Sequence, residues 1–293
     1  MQANSPVCGP RSRRSRSGGA VSLRSSRLPF PAGPTASIVV VALAAIALAG
    51  CSSTKTSGSG GKGVALVEPG KLKNCAQLPY EPFEVSKGGK IVGFDVDIVD
   101  LVAKKLNVTQ DNRDTPFESI LSGEAFNSNQ CDLAAAGMTI LPSRRKNLDF
   151  SDPYFTATQS LLVKKGAPYK SLADLKGRVL GVQQETTGEI YARKHAKGVR
   201  IKQFEDVGVL VNAVKGGTIP AAINDNGVLY DFARRNPDTQ VTADFNTGEK
   251  YGIGVRKGND ALRNTINEVL KQAQADGTYE RIYKKWFGTA PKK

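Results

Sequence analysis

The chain has 293 residues, 40% apolar and 23% charged, the composition of a folded globular protein rather than a disordered or collagen-like one. Lysine and arginine number 41 against 27 acids, a formal charge of +14. Six arginines (Arg11, Arg13, Arg14, Arg16, Arg24, Arg27) crowd the acid-free residues 1–50, and the remaining excess is scattered without a run of five or six like charges, which speaks against a nucleic-acid partner or a polybasic membrane patch. One histidine, His195, excludes zinc motifs that need two, and the four cysteines (Cys8, Cys51, Cys75, Cys131) contain no CxxC pair, so no metal site is expected.

Behind the arginines, the twelve residues Ile38 to Ala49 are almost wholly aliphatic. That run falls short of the roughly twenty residues a spanning helix needs, so residues 1–50 are expected to be a secretory signal peptide. Arg13-Arg14 is followed by Ser-Arg-Ser-Gly-Gly rather than apolar residues, which points to the general export route. Leu48-Ala49-Gly50-Cys51 looks like a bacterial lipobox and implies a diacylated Cys51 at the mature N-terminus. Residues 51–63 are rich in Ser, Gly, Thr and Lys and are expected to form a flexible tether. Gly58, Gly60 and Gly63 have GxGxxG spacing, but neither a strand before nor a helix after them supports dinucleotide binding.

From Lys71 onward short apolar runs alternate with amphipathic stretches, the pattern of an α/β domain with a largely parallel sheet. The first expected strand is 71–76. Asp95 is expected to cap a helix that places Ile98, Leu101, Val102 and Leu106 on one face. Further strands are expected over 132–136, 179–182 and 219–224. Asn259 starts a helix carrying Leu262, Ile266, Val269, Leu270 and Ala273, which Asp276-Gly277 ends. In a last helix Tyr279, Ile282, Tyr283 and Trp286 recur at core spacing. About 230 residues in such units suit two lobes better than one.

Six motifs then occur in order: Tyr80-Glu81-Pro82-Phe83, Gly93-Phe94-Asp95-Val96-Asp97, Ala136-Gly137-Met138-Thr139-Ile140, Asp149-Phe150-Ser151-Asp152-Pro153-Tyr154, Tyr251-Gly252-Ile253-Gly254-Val255 and Lys284-Lys285-Trp286-Phe287-Gly288. Over residues 64 to 289 the chain resembles the family 3 solute-binding proteins, which deliver polar amino acids to ABC importers. The resemblance implies a two-lobed α/β fold of the periplasmic-binding-protein type (type II). Lobe 1 would be 64–157 plus 256–293 and lobe 2 163–250, with hinge crossings at 158–162 and 251–255. It also implies a monomeric binding protein without cofactor or catalytic residues. Its expected partners are a free polar amino acid, an importer permease and, through the lipid anchor, the extracytoplasmic face of the cell membrane. A few relatives dehydrate cyclic amino-acid precursors, which is the alternative function.

A free amino acid is a zwitterion, so its site must offer a cation with donors at one end and an acid at the other. By resemblance, Arg144, Thr139 and Thr187 are expected to hold the carboxylate. The Arg144 fork gives two parallel charge-assisted bonds, and Thr187 gives a backbone N–H at a helix start. Asp225 and the Gly137 carbonyl are expected to take the ammonium. The plainer readings are a solvated charge for Arg144 and a helix cap for Asp225. Tyr80 and Phe117 would pack on the ligand's carbon atoms, or simply in the core. Gln77 and Gln183 would meet its side chain, which favours a polar, non-basic ligand, glutamine or glutamate first and asparagine or aspartate next. Glu185 would overturn that preference if its side chain turned inward. Export favours a disulfide between Cys75 and Cys131, whereas in-register strands would hold the two about four residues apart, ~13 Å.

Overall fold

In the computed structural model, which describes residues 59–60, 63–289 and 291, the strand Lys71–Ala76 forms over the expected residues with five of its six side chains buried. The expected signal peptide, Cys8, Cys51 and most of the tether lie outside the described residues. The tether's end is structured: Ser59–Gly60 pairs antiparallel with Val64–Ala65.

Two five-stranded sheets organise the chain. The first runs in the order Thr109–Asp114, Lys71–Ala76, Leu133–Ala134, Gly254–Arg256, Leu148–Phe150. The second runs Arg200–Phe204, Val179–Gln183, Ala221–Asp225, Phe155–Lys164, Thr239–Tyr251. In each, three neighbouring strands are parallel and the fourth runs antiparallel to both its neighbours, so the sheets are mixed. The parallel strands are joined through helices: Phe94–Leu106 in the first lobe, Thr187–His195 and Val207–Lys215 in the second. Such crossovers are what parallel neighbours require.

The expected strand over 132–136 pairs only at Leu133–Ala134. Beyond it the backbone turns to side chains, Ala135 N–H donating to Asn74 Oδ1 at 3.0 Å and Gly137 N–H to Asp95 Oδ2 at 2.9 Å. The strand expected at 219–224 starts at Ala221, after Pro220, which has no N–H for the ladder.

The helix Phe94–Leu106 corrects the reading of Asp95 as its cap. Gly93 occupies that position, and Asp95 lies inside the helix, fully buried, accepting from Gly137 N–H and from Tyr154 Oη at 2.7 Å. Only glycine fits at 93, because a Cβ there would lie 1.8 Å from the Phe83 carbonyl oxygen. Asn259, by contrast, caps the helix Asp260–Ala275 as expected, its side chain accepting from Leu262 N–H.

The two sheets are linked by paired strands. Gln159 is already laddered to Asp225, and Gly254–Arg256 to residues 133–134 and 148–150, so neither expected crossing, 158–162 or 251–255, lies wholly between the sheets. The ladder Glu249↔Ala157, Lys250↔Thr156, Tyr251↔Phe155 makes the link. Phe83, Phe155, Tyr251, Tyr283 and Phe287 stack around it, with Phe83–Phe155 ring centroids 4.9 Å apart and Tyr283–Phe287 4.5 Å apart. The last helix, Thr278–Phe287, is only partly buried. Its aromatic stripe packs on this nest while Trp286 Nε1 donates to Asp97 at 2.7 Å.

Cys75 and Cys131 are joined in a disulfide, with Cα atoms 5.7 Å apart. Cys75 pairs with Ala134, so a three-residue offset remains along the strands. It closes because Cys131 precedes its strand and curls back, its N–H donating to the Ala125 carbonyl. The bond spans 56 residues. Replacing both cysteines with alanine is therefore expected to lower unfolding free energy by about 2–5 kcal/mol, checked by urea unfolding of oxidised wild type and variant.

Candidate functional site

The carboxyl ends of the parallel strands in both sheets face one cleft, whose walls leave a cavity of only about 20 Å³. All nine residues expected to meet a ligand line it: Gln77, Tyr80, Phe117, Gly137, Thr139, Arg144, Gln183, Thr187 and Asp225. Glu84, Ala136 and Thr186 complete the wall.

Arg144 begins the short helix Arg144–Lys146 and is 6% exposed, unlike its exposed neighbours Arg145 and Lys146, so it is not a solvated surface charge. Its guanidinium donates to the carbonyls of Thr139 and Glu185, both at 2.9 Å, and lies 5.3 Å from the Phe117 ring centre. Among the described residues it has no ion-pair partner. Burial lowers its pKa from the ordinary value, and the charges of Asp225 and Glu249 oppose that shift. A buried cation satisfied only by neutral carbonyls is suited to an incoming anion.

Asp225 stands at the N-cap of helix Asn226–Arg235 but makes no capping bond. Its carboxylate instead accepts from Tyr80 Oη at 2.7 Å, from Tyr251 Oη and from Gln159 Nε2. Burial, aided by the charge of Glu249, pushes its pKa up to about 6 against these hydrogen bonds. Tyr80 thus does more than pack, since it ties the first lobe to the second. Gly137 is held by this ring: a Cβ there would lie 2.6 Å from Tyr80 Cε1.

Thr187 opens the helix Thr187–His195, whose cap is Thr186, accepting from Glu189 N–H at 3.2 Å. The Thr187 N–H is therefore a first-turn donor with no intrahelical acceptor, the kind that binds anions. Gln77 and Gln183 meet across the cleft, Gln183 Nε2 donating to Gln77 Oε1 at 2.8 Å. Glu185 is exposed and does not line the cleft. Its backbone, at φ 63°, presents the carbonyl that Arg144 grips.

Two acids escape the sequence reading. Glu84 is 1% exposed and lines the cleft, and its Oε2 has no hydrogen-bond partner. Burial, then the nearby charge of Asp95, holds its carboxyl well above the usual range. No local pattern marks it, because a tight turn brings it back beside Tyr80, whose N–H donates to the Glu84 carbonyl at 2.8 Å. Glu249 is 7% exposed and accepts from the hydroxyls of both Thr139, at 2.8 Å, and Thr187, at 2.6 Å. Its signal was available: two residues before buried Tyr251 on a strand, it shares that residue's face.

Residues 72–289 match the profile of the bacterial extracellular solute-binding proteins, family 3. The chain is similar to the ABC transporter glutamine-binding protein GlnH of Bacillus subtilis, 35% identical over 87% of this chain and 97% of the relative. A solved structure of an ancestral arginine-binding protein bound to arginine is 41% identical with a TM-score of 0.71, covering 75% of this chain and 99% of that one. The ancestral amino acid-binding protein AncCDT-1, a precursor of cyclohexadienyl dehydratase, is 34% identical with a TM-score of 0.68, covering 74% and 95%.

The buried Asp95 behind Gly137 gives a pH test. Desolvation pushes its pKa up to about 7, against the bonds from Gly137 and Tyr154. A carboxyl whose folded pKa lies above its unfolded value, about 3.9, contributes stability that is full below that value and lost as pH rises through the folded pKa. Wild-type stability should thus fall between about pH 4 and 7, and Asp95→Asn should flatten that fall by on the order of 2–4 kcal/mol. Urea unfolding at several pH values checks it.

Proposed function

Because the chain belongs to the bacterial extracellular solute-binding proteins of family 3, we propose that it captures a free polar amino acid between its lobes and passes it to the permease of an ABC importer. It acts outside the cytoplasm, as a monomer tethered to the cell membrane through lipid on Cys51. The observation that carries this reading is the pairing, in one cleft, of a buried guanidinium without an ion-pair partner among the described residues and a buried carboxylate with acceptor capacity. That is the complement of a zwitterion. Arg144, with the Thr187 N–H and the hydroxyls of Thr139 and Thr187, takes the ligand carboxylate, and Asp225 with the Gly137 carbonyl takes the ammonium.

At the side-chain end the glutamine pair suits an amide, and Glu84 refines that preference. A ligand carboxylate there would join Asp225 and Glu249 around the single guanidinium of Arg144, with Glu84, its carboxyl held well above the usual range, as a further acceptor for a donating group. A side chain that donates removes that conflict, which favours glutamine and the basic amino acids over glutamate and aspartate. Relatives that bind glutamine and arginine support the same range. Binding without turnover is the reading adopted over dehydration of a cyclic precursor. Incubation with prephenate or arogenate should leave both unchanged.

Arg144→Ala and Asp225→Ala are each expected to weaken binding by about 2–5 kcal/mol, because each strands one buried charge of the ligand. Titration calorimetry on ligand-stripped protein measures this, and a loss under threefold for either would misplace the site. In a thermal-shift panel of the twenty amino acids, glutamine or a basic amino acid should stabilise most. A maximum at glutamate would remove the role given to Glu84. A Cys51→Ser chain should lose its membrane attachment or remain unprocessed.

A further inference from the structure

Glu249 sits where the ladder between Thr239–Tyr251 and Phe155–Lys164 resumes after an irregularity, opposite Ala157, at the link between the sheets. Its carboxylate accepts four hydrogen bonds. Oε2 takes the hydroxyls of Thr139 and Thr187, and Oε1 takes Gln159 Nε2 at 3.0 Å and Thr247 Oγ1 at 2.7 Å. Thr139 belongs to the first lobe and Thr187 to a helix of the second, while Gln159 and Thr247 come from the two linking strands. Four donors fill the lone-pair sites of a carboxylate.

We infer that Glu249 is an internal competitor for the ligand's carboxylate, holding the two threonine hydroxyls that the ligand needs and thereby joining the lobes before the ligand does. This rests on the binding reading given above. A threonine hydroxyl carries one proton and so donates to one strong acceptor at a time. Thr139 and Thr187 cannot serve Glu249 and a ligand carboxylate together. Arg144 is the one buried cation lining the cleft among the described residues, so two carboxylates beside it repel each other. Ligand entry therefore transfers both hydroxyls from Glu249 to the ligand, leaving Glu249 on Gln159 and Thr247. The exchange lowers the net gain from binding and keeps the unoccupied lobes partly gathered, which suits a carrier that must release its cargo.

The test is titration calorimetry of wild type, Glu249→Gln and Glu249→Asp with glutamine and with arginine, together with solution scattering of each protein with and without ligand. The amide removes the charge, and the aspartate withdraws the carboxylate by one methylene from at least one threonine. Competition predicts binding about three- to tenfold tighter in Glu249→Gln, the worth of one or two net hydrogen bonds, and a smaller gain in Glu249→Asp. It also predicts a larger radius of gyration for the unliganded variants than for unliganded wild type, with equal radii when ligand is bound. Equal or weaker binding in both variants would overturn the inference and make Glu249 a residue that merely positions the threonines. Wild type that binds none of the twenty amino acids would remove the binding reading itself.

Discussion

The cleft depends on one buried carboxylate. Asp225 is out of contact with bulk water, and such a group is tolerated only where donors replace its hydration. The three donors it receives come from separate parts of the chain: Tyr80 from the first lobe, Tyr251 from one linking strand and Gln159 from the other. Satisfying a single acid thus draws together both lobes and both connections. Much of the surrounding packing follows. The Tyr80 ring leaves no room for a side chain at Gly137, and Tyr251 is braced by the aromatic nest around Phe83 and Phe155. The tyrosine hydroxyls stay protonated because burial and the charge of Asp225 raise their pKa values well above normal.

Around that acid the buried charges are unequal. Arg144 faces Asp225 and Glu249 within reach of its field, and Glu84 borders the same cavity. In a low-dielectric cleft this imbalance matters more than the shape of the walls, since each uncompensated charge costs several kcal/mol. A group that brings protons into the cleft would relieve that imbalance. The exposed Glu185, whose side chain stays outside, contributes through its backbone alone, and its left-handed φ is the conformation that glycine adopts most freely.

Much of this was legible in the order of residues. The strand at 71–76 and the cap at Asn259 follow from apolar runs and capping chemistry, and the nine residues that converge on one cleft were named by the family resemblance that six motifs carry. Asp95 was misread because a carboxylate at a helix start ordinarily caps it. Here a glycine is forced by the close Phe83 carbonyl, and the acid is free to reach Gly137 and Tyr154. Glu84 looks like a surface acid in its own segment, whereas Glu249 is marked only by sharing a strand face with Tyr251. A turn folds Glu84 back beside Tyr80, and Glu249 is held by Thr139 and Thr187, 110 and 62 residues away. The mixed sheets escaped notice for a similar reason, since strand direction across the link is a tertiary fact.

The bond between Cys75 and Cys131 has a mechanical meaning beyond its contribution to stability. It closes a covalent ring that contains Gln77, Tyr80, Glu84, Asp95 and Phe117, and onto which the C-terminal helices pack. The second lobe, threaded through a single continuous stretch, holds no such closure among the described residues. The ring thus keeps the first lobe's share of the cleft covalently in register, whereas the second lobe's share is held by strand pairing and packing.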